Sequence, residues 1–249
     1  MSKVVLTGEI EFADIKKYEE LVAQPNVTEI DISQFSISGR DYEAIVEELD
    51  LDDNPLTVLT KLILNKEFTT SFVVENGAIY STDKKVLIHY SDFGRLTIPY
   101  GVEIIGHYAF YGCSLESVLF PLTLKQIGNR AFEYNDFLKE VALPNSVTKL
   151  GECCFASCGI SDILLSNNLK NIPGCCFLFN ELNFISIPSS VKKIESSAFD
   201  GNFIKRVVFQ EGLESIANDA FSYAEYFRFP STMREIDKEF FCETPIVDP

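Results

Sequence analysis

Between residues 93 and 244 the apolar positions recur in a fixed order. A pair at period two comes first: Leu96/Ile98, Val118/Phe120, Val141/Leu143, Ile163/Leu165, Ile185/Ile187, Val207/Phe209 and Phe227/Phe229. Proline follows at 99, 121, 144, 188 and 230, and Ser166 and Gln210 fill its column in the other two copies. Next comes an apolar pair three apart: Val102/Ile105, Leu124/Ile127, Val147/Leu150, Leu169/Ile172, Val191/Ile194, Leu213/Ile216 and Met233/Ile236. Phenylalanine closes each copy at 110, 132, 155, 177, 199, 221 and 241, in steps of 22, 23, 22, 22, 22 and 20 residues. Seven copies in register define a solenoid, because a unit that cannot bury its apolar side alone must stack on its neighbours.

Each part of the unit has a physical reading. The period-two pair predicts a short strand with those side chains pointing inward. Proline ends the strand because it has no N–H to give the ladder. The second pair turns the chain back over the core, often at a glycine (Gly106, Gly128, Gly151) free to take an unusual backbone conformation. The phenylalanine is expected to fill the core opposite the strand. The small residue before it (Ala109, Ala131, Cys154, Cys176, Ala198, Ala220) leaves it room. The recurring Ala-Phe phrase is therefore a packing element without chemistry of its own.

The pattern L-x-x-V-x-F-P-x-x-L-x-x-I-G-x-x-A-F, as it stands in residues 115–132, resembles the BspA-type leucine-rich repeat, and the likeness covers residues 93–244. The preceding FVVENGAIYSTDKKVLIHYSDFGR resembles the hairpin that often opens such arrays. The expected fold is an α/β repeat: a right-handed leucine-rich-repeat solenoid of mostly short parallel strands with few helices. The commoner leucine-rich repeat carries Asn three residues after the strand. That column here holds Gly101, Thr123, Ser146, Asn168, Ser190, Gly212 and Thr232, so an Asn ladder is not expected and the turn must be satisfied otherwise. The resemblance implies a non-enzymatic protein-interaction scaffold, adhesin-like, at a cell surface or secreted.

The first 95 residues are less regular. Val27/Ile30/Ile32 and Leu59/Leu62/Leu64 repeat the strand spacing and predict longer units of the same solenoid. GRDYEAIVEELD has helical spacing, with Tyr42, Ile45, Val46 and Leu49 on one face. FADIKKYEELV reads likewise, through Ile15, Tyr18, Leu21 and Val22. Such helices would pack on the outer face. The expected organisation is one solenoid domain over 1–249. Within it, 1–65 form acidic, helix-containing cap repeats, 66–92 a β-hairpin insertion, and 93–249 seven repeats of about 22 residues.

Charge narrows the class of partner. A net charge of −16 disfavours nucleic acid and anionic membranes as bulk electrostatic partners. Much of it lies in residues 1–53, which hold 14 acidic against 4 basic side chains. No apolar run approaches the roughly 20 residues that span a bilayer, so membrane insertion is not expected. The start, MSKVVLTGEIEF, lacks the continuous apolar region of a signal peptide.

Candidate chemistry is sparse. Cys153, Cys154, Cys158, Cys175 and Cys176 lie close in sequence, and a Cys-Cys pair recurs one repeat apart. Stacked turns sit about 4.8 Å apart, so Cys153 over Cys175, or Cys154 over Cys176, falls near the separation a disulfide accepts. Alternatively, Cys154 and Cys176 are buried thiols in the place of alanine. A total of seven cysteines makes full pairing impossible and also suits a reducing compartment. No zinc site is expected, since four converging ligands at suitable spacing are missing; His89 and His107 read as hairpin and surface residues. The chain lacks G-x-S-x-G, a phosphate-binding glycine loop and H-E-x-x-H, so neither enzymatic activity nor a cofactor is expected. Asn26-Val27-Thr28 matches the glycosylation acceptor pattern once.

What remains is the strand face. The residue between each inward pair points to the opposite side of the sheet, giving Thr97, Leu119, Ala142, Leu164, Ser186, Val208 and Arg228. Two positions earlier stand Arg95, Ser117, Glu140, Asp162, Phe184, Arg206 and Tyr226. Leu119, Leu164, Phe184, Val208 and Tyr226, with Arg206 and Arg228 beside them, combine apolar, aromatic and arginine side chains as interaction surfaces do. A protein ligand, from a host or a second copy of the chain, is the expected partner. Phe184, Tyr226, Asp162 and Glu140 also leave a glycan open on this face. The same residue types suit solvated strands as well.

Overall fold

The computed structural model describes residues 2–10, 15–22, 24–37, 58–90, 93–217, 219–221, 224 and 226–230. The chain divides into two compact units, Met1–Ser91 and Asp92–Pro249. The expected helix around Tyr42–Leu49 and the seventh phenylalanine, Phe241, lie outside the described residues.

In the first unit, strands β1 (Ser2–Ile10) and β2 (Val27–Ile37) run parallel, joined through helix α1 (Ile15–Val22). The alternation in β2 buries Val27, Ile30, Ile32 and Phe35, and the Phe35 ring meets Tyr18 of α1 edge-on at 5.6 Å. On α1 Val22 is buried but Leu21 is exposed, so the apolar face is narrower than the spacing suggested. Leu59/Leu62/Leu64 do not form the expected strand: Val58–Leu64 is helix α2. Lys61, Leu62, Ile63 and Leu64 are consecutive and all buried, which the alternation of a half-exposed strand does not allow. An apolar step of three serves a helix as well as the repeat, and here the helix wins.

Residues 71–90 form an antiparallel meander. Strands β3 (Ser71–Glu75), β4 (Ala78–Ser81) and β5 (Val86–Tyr90) pair antiparallel in sequence, and β2 pairs antiparallel with β3. Asn76 and Gly77 form the first turn with φ of 51° and 79°, as a two-residue hairpin loop requires. In the second turn Asp83 accepts hydrogen bonds from Ser81 Oγ at 2.6 Å and Lys85 N at 3.1 Å.

The second unit is a β-solenoid, and the described residues in it contain no α-helix. One wall carries β6 (Gly94–Thr97), β8 (Leu115–Leu119), β10 (Glu140–Ala142), β11 (Asp162–Leu164), β13 (Phe184–Ile187), β15 (Arg206–Phe209) and β17 (Tyr226–Arg228). Parallel pairing keeps the columns in register: Val141 faces Ile163, and Ile185, Val207 and Phe227 follow one another. The inward pairs are buried, apart from half-buried Phe120, Ile163 and Phe229. A second wall is made of two-residue strands, β7 (Ile104–Ile105), β9 (Gln126–Ile127), β12 (Asn171–Ile172), β14 (Lys193–Ile194) and β16 (Ser215–Ile216). Gln126 also bridges Lys149 of the following turn.

The third wall is the phenylalanine column. Phe110, Phe132, Phe155, Phe177, Phe199 and Phe221 stack with ring centroids 4.8–5.7 Å apart and planes within 16°. They reach across to the strand wall, where Phe120 meets Phe132 and Phe209 meets Phe221 edge-on. Each fully buried ring contributes about 1.5–3 kcal/mol through burial, with a further 0.5–1.5 kcal/mol or so from each stacked pair. Ala109, Ala131, Cys154, Cys176, Ala198 and Ala220 are fully buried beside them.

Two features of the turn differ from expectation. Gly128 and Gly151 are not in the left-handed region; they are needed for space. A Cβ on Gly128 would lie 2.6 Å from His107 N, and one on Gly151 would lie 2.4 Å from Asn129 N, so the main chains of successive turns could not approach. Left-handed backbone falls instead on two columns bracketing the Ala-Phe phrase. Tyr108, Arg130, Cys153, Cys175 and Ser197 precede it, and Gly112, Tyr134, Ser157, Phe179 and Gly201 follow it.

An asparagine ladder is also present, but three residues after the phenylalanine and not after the strand. Buried Asn135, Asn180 and Asn202 each accept a main-chain N–H through Oδ1, from Leu115, Ile160 and Leu182 respectively. Their Nδ2 groups donate to Phe110 O, Phe155 O and Phe177 O, the phenylalanine carbonyls of the preceding turns. Cys158 occupies the same column, and its Sγ donates to Phe132 O at 2.9 Å. In the column where the Asn was sought, Thr123 Oγ1 donates to Val102 O at 2.8 Å and accepts from Gly101 N at 3.1 Å. The Ser146 and Ser190 hydroxyl oxygens in that column are buried without a hydrogen-bond partner.

Candidate interaction surface

The strand wall turns one edge of every unit outward. Leu119 and Leu164 are 67% and 65% exposed, and Phe184 and Tyr226 are 48% and 50% exposed. Arg206 and Arg228 are exposed and Val208 is half-buried. The ladder register brings several of these side by side. Phe184, Arg206 and Tyr226 are consecutive partners across β13, β15 and β17, as are Ser186, Val208 and Arg228. One arginine thus stands between two aromatic residues in the register of a parallel ladder.

Leu119 and Leu164 lie at the same column position on other turns, each with its carbonyl held by the preceding turn, at Ile98 N and Leu143 N. Glu140 and Asp162 are directly opposed on β10 and β11. Like charges in that relation repel and destabilise a sheet slightly.

A second exposed row follows no core period of the sequence. Tyr134, Phe137, Phe179 and Phe203 lie exposed on the turns between the phenylalanine column and the strands. Their signal is an aromatic residue between the repeat phenylalanine and the next buried apolar position, Leu138, Leu182 or Ile204. Phe179 lies over Gly201, where a Cβ would come within 2.2 Å of its ring. Beside it opens a groove of about 430 Å³ lined in part by Asp136, Gly159 and Glu181. The Glu181 carboxylate is bound by Lys139 Nζ at 3.0 Å.

The described cysteines fall in two environments. Cys154, Cys158 and Cys176 are buried and Cys113, Cys153 and Cys175 are half-buried, all as free thiols. Burial pushes the Cys153, Cys158 and Cys176 thiols well above the ordinary range. Next to Cys153, Arg130 binds both oxygens of buried Glu133 at 3.0 and 2.9 Å.

The histidines differ from one another. His107 Nδ1 accepts Asn129 N at 2.8 Å, a link between turns. His89 on β5 is half-buried, with Nδ1 3.2 Å from Nζ of buried Lys61. Burial and then the adjacent Lys61 charge lower the His89 pKa to about 3. Thr28 of the single glycosylation pattern lies on β2, its Oγ1 3.5 Å from Ser2 O. Among the described residues no group of three or more His, Cys, Asp or Glu is arranged to hold a metal ion. No described helix is long and apolar enough to cross a membrane.

Two parallel ladders closed by a phenylalanine column and an asparagine ladder define a leucine-rich-repeat solenoid. The chain belongs to the BspA type leucine-rich repeat family, whose pattern matches residues 103–228 and 154–248 in 6 copies. Solved structures with a similar course include a leucine-rich cell surface protein from Faecalibacterium prausnitzii. It is 22% identical with a TM-score of 0.48, over 63% of this chain and 54% of that one. The T. pallidum leucine-rich repeat protein is 23% identical with a TM-score of 0.45, over 53% of this chain and 67% of that one. A leucine-rich repeat protein from Eubacterium ventriosum is 20% identical with a TM-score of 0.41, over 72% and 59%. The chain thus spans about half the length of the first of these. No curated protein matches it.

Proposed function

We propose that the chain is a non-enzymatic interaction scaffold that binds a protein partner through the strand wall of its solenoid. The observation that carries this reading is the unbroken Phe184–Arg206–Tyr226 row, with exposed Leu164 and Leu119 on earlier turns of the same wall. Solenoids build extended binding surfaces by repeating such columns, and aromatic and arginine side chains supply much of the binding energy where they are buried by a partner. Membership of the repeat family supports a scaffold role. An adhesin-like role at a cell surface is the form we favour.

The test is a quantitative pull-down from source and host material with the wild-type chain and the double variant Leu164→Asp/Phe184→Asp, matched for melting temperature. A protein captured by the wild type and lost from the variant supports the reading. An identical capture list from both removes the strand wall as the site. A glycan reading on the same face draws on Glu140 and Asp162 together with Phe184 and Tyr226, on the same strand wall. Binding on a glycan array that is abolished by the same substitutions would favour it over a protein partner.

A further inference from the structure

Cys154 and Cys176 occupy equivalent positions on adjacent turns, where the other described copies hold alanine. Their sulfurs are 3.3 Å apart and both residues are fully buried. Main-chain hydrogen bonds fix the two turns on either side of them. Phe155 N donates to Cys176 O at 3.0 Å and Cys153 N donates to Gly174 O at 3.1 Å. The phenylalanine stack holds the next residue of each turn, Phe155 over Phe177 at 5.7 Å. The two thiols are therefore held close together by turns whose main chains are bonded to one another.

We propose that Cys154 and Cys176 are a disulfide site that staples two central turns of the solenoid when the chain folds in the presence of an oxidant. The co-reactant is a small-molecule disulfide such as oxidised glutathione. One cysteine thiolate attacks it and releases one glutathione thiol. The second cysteine then attacks the mixed disulfide and releases the other. Two S–H bonds are lost, one Sγ–Sγ bond forms, and two electrons pass to the oxidant. Full burial keeps the finished bond from reductants, and the raised Cys176 thiol makes reaction in the folded state slow. The bond is accordingly made during folding.

The outer pair, Cys153 and Cys175, competes for the same oxidant. Those residues are half-buried, and Cys175 is among the neighbours that hold the Cys153 thiol up. The experiment has to separate the two pairs. The full chain is refolded in a reduced/oxidised glutathione mixture, and its intact mass, linked peptides and melting temperature are compared with those of chain refolded in dithiothreitol. Cys153→Ser/Cys175→Ser removes the outer pair and leaves the inner pair with buried Cys158, and the linked peptides distinguish 154–176 from any link to Cys158. Cys154→Ala/Cys176→Ala removes the inner pair, leaving the outer pair and Cys158, and it installs the alanine that the other turns already accommodate.

The expected result is loss of two hydrogens, a 154–176 link in the wild type and in Cys153→Ser/Cys175→Ser, and a melting temperature raised by roughly 5–10 °C over the reduced form. Cys154→Ala/Cys176→Ala should fold, melt close to the reduced wild type and show no gain from oxidant. The proposal is overturned if the inner-pair protein stays reduced after oxidative refolding. It is equally overturned if the melting-temperature gain survives Cys154→Ala/Cys176→Ala.

Discussion

The rings of Phe132 and Phe155 lie 5.0 Å apart with planes 7° from parallel, and neither is reached by solvent. They belong to successive turns, so the energy of the third wall is shared between neighbours and not held within a unit. Phe155→Ala removes a ring with a partner on each side and leaves a cavity that two rigid turns cannot close. A loss of about 3–5 kcal/mol in denaturant unfolding is expected. Phe155→Leu, which keeps most of the volume, should cost clearly less.

Asn180 carries a different load. Its amide accepts Ile160 N at 2.8 Å and donates to Phe155 O at 2.8 Å and Leu178 O at 3.2 Å, joining two turns through buried main-chain groups. Asn180→Ala leaves those groups without partners, and a loss of about 3 kcal/mol is expected, comparable to losing a core side chain. Asn180→Asp should also destabilise, because a carboxylate cannot donate to the two carbonyls. Equilibrium unfolding of both variants tests this; a change below about 0.5 kcal/mol for Asn180→Ala would show that the ladder is not structural.

Sequence periodicity reveals the phenylalanine and strand columns because an apolar residue has one destination in a stacked unit. Asparagine recurs at 135, 180 and 202, in a column it shares with Cys113, Cys158 and Ala224, so its period is weaker than that of the phenylalanine. Cys158 hides the period further by taking one position of that column with a thiol donor. The glycines of the Ile-Gly phrase are equally periodic, yet period alone does not separate a need for positive φ from a need for space. Leu59, Leu62 and Leu64 were misread for a related reason, as a step of three suits both a helix and the repeat. The exposed strand columns follow from alternation alone, whereas the aromatic row at Phe137, Phe179 and Phe203 obeys no core period and only its position in space reveals it.

Two hydroxyls in one column should respond in opposite ways. Thr123 Oγ1 is hydrogen-bonded to both Val102 O and Gly101 N, while Ser146 Oγ is buried without a partner. Thr123→Ala should therefore destabilise by about 1 kcal/mol or more. Ser146→Ala should be neutral or slightly stabilising, since it removes a buried polar group that gains nothing. Paired denaturation curves decide the matter, and a Ser146→Ala loss matching that of Thr123→Ala would refute the distinction.

His89 makes the first unit sensitive to acid. Its folded pKa is depressed to about 3 from the ordinary 6.5, by burial and then by Lys61. A depressed value means the unfolded chain binds the proton first. The stability that His89 lends is complete above about pH 6.5 and is lost as pH falls toward 3, at up to about 1.4 kcal/mol per pH unit. His89→Gln should flatten that part of the stability curve between pH 7 and 4. An unchanged slope in the variant would assign the acid sensitivity elsewhere.

Leu164 and Leu165 are chain neighbours with opposite fates, 65% and 4% exposed. The strand alternation that buries Leu165 turns Leu164 outward, where nothing in the fold requires an apolar side chain. Leu165→Asp places an unpaired charge in the core and should prevent folding or cost more than about 4 kcal/mol. Leu164→Asp should change stability by no more than about 0.5 kcal/mol, so any loss of partner capture in that variant reflects the surface and not the fold. If Leu164→Asp were instead strongly destabilising, the outward column would be part of the folded core, and the binding surface would have to be sought among the aromatic turns at Phe137, Phe179 and Phe203.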